Sequence, residues 1–363
     1  MAVFKKIMIC SVLIYFVTDL SLSEAFFIPV QHQNFQLHMS DASDLLYREQ
    51  ENLIINRGEL EEKLMSQKLK PIKVSKVNVR GTGSAGGFAS GGGSKKTSLK
   101  AEAKTHSIVL KRDGVVRIDN VLSSDVADRM REYAYNLRKT SEEEVEAGTV
   151  QPIQRFAHVL LKTNRCDLTI PLGDDIVSDA LDEVLRKCSV GQTISAVLAE
   201  DAILYELSCL ISDPGSQRQV FHPDTPFIDG KESVLYTCFI ALQDIRLDMG
   251  PTTWLPGTHT AEAHEAFADT ASDASGRESR KDELIRTRPA VLGTLPKGSC
   301  AIFDSRCLHC GTANKSKDSR ALFYFSFKNP QLGYPGNPAS IRSELGSAEV
   351  TLKALEEDLE MRS

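Results

Sequence analysis

Residues 298–327 read GSCAIFDSRCLHCGTANKSKDSRALFYFSF. Positions 299–303 and 320–327 are short apolar runs of strand length, and Pro296-Lys297-Gly298 supplies a turn signal ahead of the first. Working outward, similar runs occupy 202–211, 233–242 and 290–295, with turn signals at Asp213-Pro214-Gly215 and Pro256-Gly257. Helical patterns gather on the N-terminal side. Ser123 or Ser124 can cap a helix over 125–139, with Val126, Met130, Tyr133, Ala134 and Leu137 on one face, and a second helix is expected near 174–187. The stretch SIVLKRDGVVRIDNVL, around Asp113-Gly114, alternates like a strand pair. Many short strands with a few helices predict a mainly β domain with flanking helices, a jelly roll or related sandwich.

The same stretch carries the chemistry. His222-Pro223-Asp224 forms an H-x-D pair after a strand-like segment, and His309 follows at the end of the run that begins at Ser299. In extended chain, residues i and i+2 point to one side. Two neutral imidazoles and one carboxylate can then occupy one face of an octahedral iron(II), leaving positions for a co-substrate and oxygen. Arg320, at the start of the next run, can grip a carboxylate with two parallel hydrogen bonds. A small keto-acid that chelates the metal and pairs with Arg320 completes the requirements of oxygen activation. Cys307-x-x-Cys310 brackets His309, but no second CxxC exists to close a zinc site. His259 reads as a structural turn residue, His264 as solvated, and Trp254 as core. Arg155 and His158 read as ordinary face residues, while Asp304 and Arg306 are placed to steady His309.

The 363 residues bound the rest. The chain is long enough for a sizeable core, and its composition is that of a globular protein. Residues 1–100 hold 13 Lys and Arg against 9 Asp and Glu, whereas residues 101–363 hold 30 against 40. A net charge of −6 argues against a nucleic-acid partner held by bulk charge. Lys5 and Lys6, an apolar run over 7–17 and Ser23-Glu24-Ala25 lay out a signal peptide over 1–25, too short to leave a membrane span. Cleavage there would expose Phe26-Phe27, which resembles the bipartite leaders of proteins sent to the plastids of secondary-plastid algae. An endomembrane or secreted location is the alternative. Beyond Cys10, seven scattered cysteines show no disulfide framework and suit a reducing compartment. Residues 26–80 read as a transit-like, amphipathic segment and 81–104 as a Gly/Ser-rich linker. Within 81–94 a formal G-x-G-x-x-G lacks the helix context of a dinucleotide site. The domain is expected over 105–330, with 261–288 as a polar insert or lid and 331–363 as a tail containing a weak helix.

The segments DGVVRIDNVL, FHPDTPF, MGPTTWLPGTH and the stretch quoted first resemble the phytanoyl-CoA dioxygenase family of iron(II)- and 2-oxoglutarate-dependent oxygenases, over roughly 105–330 and in the same order. The resemblance implies a double-stranded β-helix, the cupin-like jelly roll. It implies His222, Asp224 and His309 as iron ligands and Arg320 as anchor of the distal carboxylate of 2-oxoglutarate. Asn314 keeps the family spacing between His309 and Arg320, and Thr252 falls where some relatives touch 2-oxoglutarate. Gly311 departs from the pattern, since some relatives place Ser there; Asp224 fills the place that halogenating relatives leave small. The expected cofactors are iron(II), 2-oxoglutarate and dioxygen, with ascorbate supportive. The expected reaction is oxidation of an unactivated C–H bond of a small metabolite, by hydroxylation or by ring closure, as of a prenylated amino acid of kainoid type. A protein hydroxylase and a non-catalytic jelly-roll binding module are the alternatives.

Overall fold

The computed structural model describes residues 39–66, 72–73 and 92–362, apart from 158, 160–162, 229–231, 272–277 and 333–349. The expected signal peptide, the first part of the transit-like segment and the glycine tract up to 91 lie outside the described residues, as does His158. No helix among the described residues is long and apolar enough to cross a membrane.

Two sheets face each other in a jelly roll. The larger has strands β2 (Val115–Ile118), β3 (Phe156–Ala157), β4 (Arg165–Thr169), β5 (Ile203–Ser212), β6 (Leu235–Ala241), β9 (Cys300–Asp304) and β11 (Arg320–Lys328), in the order β2-β9-β6-β11-β5-β4-β3. Every pairing in it is antiparallel. The smaller has β1 (Ile72–Lys73), β7 (Thr252–Trp254), β8 (Val291–Leu292) and β10 (His309–Gly311), in the order β1-β8-β7-β10.

Period-two alternation divides the core. On β11, Ala321, Phe323, Phe325 and Phe327 pack outward with β5 residues Leu207, Cys209 and Ile211. That outer face is covered by helices α2 (Gly92–Asp113), α3 (Ser124–Glu146), α4 (Asp175–Leu181), α5 (Val190–Leu198) and α8 (Leu352–Arg362). Leu322 and Tyr324 point the other way, into a cluster with Phe239, Phe303 and Trp254 between the sheets. A third cluster joins α1 (Met39–Ser66) to α6 (Ala261–Ala268) and α7 (Arg280–Thr287), through Leu64, Leu284 and Ile285.

Several expectations need correction. The alternation over 107–118 is not a strand pair. Ala103, His106, Ser107 and Leu110 are buried at helical spacing and Ile108 is exposed, so α2 runs to Asp113 and only β2 is a strand. The helix also occupies 92–104, the second half of the expected linker. The insert at 261–288 is not a bare polar loop. Thr260 and Ser279 cap α6 and α7 by accepting from Ala263 and Asp282 amides. The helix expected in the C-terminal tail is present as α8, and Leu352, Leu355 and Leu359 bury one face of it against the outer core.

Candidate metal centre

The segment 219–224 runs beside β10 without joining a longer ladder. His222 and His309 exchange backbone hydrogen bonds, 3.0 Å each way, as an isolated antiparallel bridge. That bridge places the two imidazoles side by side, with centroids 4.6 Å apart. The Asp224 amide donates to Ser305 O at 2.8 Å, which brings its carboxylate round to both rings. Asp224 Oδ1 stands 3.4 Å from His309 Nε2 and 3.9 Å from His222 Nε2. One potential ligand atom from each residue lies within 4.8 Å of the others, and among the described residues no fourth His, Cys, Asp or Glu joins them.

The ring orientations are fixed from behind. His222 Nδ1 lies 2.8 Å from Val220 O and His309 Nδ1 lies 2.9 Å from Cys307 O. A carbonyl can only accept, so both Nδ1 atoms carry the proton and both Nε2 lone pairs face Asp224. Burial, and next the positive charge of a neighbouring His309, lower the His222 pKa to about 4. Burial alone would raise the Asp224 carboxyl and lower His309. Their mutual attraction outweighs it, holding Asp224 below and His309 above the usual value. The Asp224 side chain is 35% exposed, against 6% for His309, so the cluster opens to solvent on the carboxylate side.

Two buried arginines lie nearby, and the charge of one, Arg165, reaches His222. Arg165 on β4 and Arg320 on β11 both stand opposite Ser212 of β5. The Ser212 hydroxyl accepts from Arg165 Nε at 3.2 Å and from an Arg320 terminal nitrogen at 3.0 Å. Arg320 also donates to Gly250 O, and Arg165 to Gln217 O at 3.1 Å. Arg165 Nη1 and Arg320 Nε are buried without a partner, and among the described residues neither guanidinium has a carboxylate within 4.0 Å. Burial, with Arg165 as the next cause for Arg320, lowers their pKa values to about 10 and about 9. Two adjacent buried cations without a counter-ion are costly, and a dianion seated between them would relieve that cost.

Arg165 is the residue that sequence reasoning missed. Its trace was Gly311. A Cβ there would sit 2.7 Å from Gln219 Oε1 and 3.2 Å from Arg165 Nη1, so the guanidinium occupies the space a side chain would take. Thr252 lies opposite Gly311 in the β7–β10 ladder, and Trp254 opposite His309. Asn314 ties the turn before Arg320 by donating to Ser212 O and Asp318 O, both at 2.9 Å.

Other residues divide. Trp254 is core, 1% exposed. His259 is structural, with Nε2 3.1 Å from Lys111 O, and its ring packs on Gly114, where a Cβ would stand 2.6 Å from His259 Nδ1. His264 is not solvated but meets Arg306 O at 2.8 Å. Asp304 and Arg306 do not touch His309. They form a two-pronged ion pair with each other, and Cys307 O takes the ring proton instead. Arg155 pairs with Glu144. Cys307 and Cys310 are fully buried and form no disulfide.

The family model described as Phytanoyl-CoA dioxygenase matches residues 110–322, more than half of the chain. Among solved structures, the non-heme alpha-ketoglutarate-dependent epimerase SnoN from nogalamycin biosynthesis is similar at 18% identity. The match covers 63% of this chain and 81% of that one, with a TM-score of 0.44. AviO1 from Streptomyces viridochromogenes Tue57 is similar at 15% identity, over 65% and 98%, with a TM-score of 0.46. The carbocyclase SnoK from nogalamycin biosynthesis is similar at 16%, over 62% and 83%, with a TM-score of 0.41. No curated protein sequence matches the chain.

Proposed function

Since the chain belongs to the phytanoyl-CoA dioxygenase family, we propose that it is an iron(II)- and 2-oxoglutarate-dependent oxygenase acting on a C–H bond of a small molecule. The observation that carries the reading is the convergence of His222, Asp224 and His309, with both Nε2 atoms turned toward Asp224 and the carboxylate side of the cluster open to solvent. Two neutral imidazoles and one carboxylate, with vacant positions, suit non-heme iron(II) rather than a closed zinc site. The two counter-ion-free guanidiniums of Arg165 and Arg320 suit the carboxylates of 2-oxoglutarate. Bound together, iron, 2-oxoglutarate and dioxygen supply an oxidant strong enough to break an unactivated C–H bond.

The chain's own residues then have separable tasks. Val220 O and Cys307 O keep the imidazoles in the ligating tautomer. Ser212 holds Arg165 and Arg320 at one spacing, so that a dicarboxylate enters in one orientation. Phe303, whose ring is 4.9 Å from that of His309, and Trp254 wall the inner side with apolar surface and keep water from it.

The test is succinate release from 2-oxoglutarate under ferrous iron and ascorbate. Turnover by the full chain and its loss in His309→Ala are expected; equal turnover in the variant refutes the site. Mass spectrometry of products separates the two outcomes. Gain of one oxygen marks hydroxylation, and loss of two hydrogens marks ring closure or desaturation. A non-catalytic binding module would show neither.

A further inference from the structure

The segment bearing His222 and Asp224 is an edge. Its His222 and Asp224 amides, two residues apart, donate to His309 O and Ser305 O, toward β10 and the turn before it. The Phe221 amide therefore points the opposite way. Phe221 is 1% exposed, so an amide there needs a protein partner.

That partner comes from far upstream. Glu61 of α1 is fully buried, and its Oε2 accepts from the Phe221 amide at 2.7 Å. Its Oε1 accepts from Arg57 Nε at 3.1 Å, and Arg57 in turn meets Asp282 of α7 at 2.6 Å. Gly58 lets the helix approach closely, since a Cβ there would stand 3.2 Å from Arg218 O. One turn on, Leu64 joins the apolar cluster that contains Phe221, Leu308 and Cys310, the immediate neighbours of both histidines. Helix α1 lies outside the 110–322 match, yet it braces the outer side of both imidazole-bearing segments.

We infer that Glu61 is a positioning residue for the metal centre, fixing His222 through the Phe221 amide. The inference rests on reading the histidine–aspartate cluster as a metal site. Glu61→Gln tests it with little change in volume. The amide offers one oxygen and one N–H group, so one of the two donors, Phe221 N or Arg57 Nε, must face another donor. Partners that orient a ligand from behind are worth about 10–100-fold in metal affinity.

Cobalt(II) is titrated into the full chain and followed by its visible absorption. Glu61→Gln is expected to weaken binding about tenfold. Leu355→Ala, which loosens α8 on the far side, lowers the melting temperature and leaves cobalt affinity unchanged. If Glu61→Gln binds cobalt within about twofold of the parent while melting earlier, Glu61 is only a stability residue and the inference fails. Should Glu61→Gln not fold, Gly58→Ala decides in its place. It keeps every side chain and presses only on Arg218 O, and it must also weaken cobalt binding. Failure of the parent chain to bind cobalt sinks both the metal reading and this inference, whereas unchanged affinity in the variants sinks this inference alone.

Discussion

Replacing Arg165 by Leu separates binding from stability. The side chain is 4% exposed, and burial lowers its pKa to about 10 from a reference of 12.5. A drop of that size corresponds to a penalty of roughly 3 kcal/mol for keeping the guanidinium charged. Leucine removes the penalty and adds apolar contact, but it strands Gln217 O and Thr312 O, the acceptors of the lost bonds. Both acceptors are only part-buried, so water can take up some of the loss, and each costs at most about 1–3 kcal/mol, which offsets the relieved penalty in large part. Stability by urea unfolding should therefore change by less than about 1.5 kcal/mol. The affinity for 2-oxoglutarate should behave differently. A hydrogen bond to a charged group is worth about 1.5–3 kcal/mol, which is about 10- to 150-fold in the dissociation constant. Calorimetric titration of the metal-loaded, oxygen-free protein with 2-oxoglutarate measures it. Destabilisation by several kcal/mol with unchanged affinity would show that Arg165 is a structural cation and that the paired-guanidinium site is wrong.

Three further outcomes follow from the same geometry. Gly311→Ser should lower the melting temperature and weaken 2-oxoglutarate binding, because its Cβ displaces Gln219 and presses on Arg165, an overpacking cost of about 1–3 kcal/mol; an unshifted melting curve contradicts this. His222 is neutral when folded, with a pKa near 4 against 6.5 as reference. Because the unfolded chain takes up that proton first, metal-free stability should fall as pH drops from 6.5 toward 4, by roughly 2 kcal/mol at pH 5. His309 shifts the opposite way, so His222→Gln isolates the effect, and equal pH slopes for parent and variant would refute it. Leu355→Ala, the control above, should cost about 2–5 kcal/mol by cavity formation, read from urea unfolding; no loss would mean that α8 does not hold the outer core.

What was legible follows from how local each signal is. The strands of residues 298–327 show as short apolar runs, and His222, Asp224 and His309 show by residue type, the first two also by a spacing of two. The place of Arg320 at the opening of a strand was also legible, and Asn314 sets the turn before it. Arg165 was not. Its place beside Arg320 depends on both facing Ser212, a register across three strands that no single segment records. Its strand, RCDLT, is short and holds two charges that burial would ordinarily exclude. Helix α2 was misread because its last turn runs into β2, so a helical face and a strand face joined into apparent alternation. Glu61 carried no signal at all, for a lone glutamate on a polar helix gives no hint of a partner 160 positions away.

The packing of α1 and α8 has a practical bearing on recombinant work. A fragment trimmed to 110–322 would lose Leu64 and Leu355 with their helices, and most of α2. Greasy surface that the intact polypeptide conceals would then meet water on two flanks, inviting clumping during purification. A trimmed preparation that proves inert would speak to its missing supports, not to the chemistry of the whole enzyme.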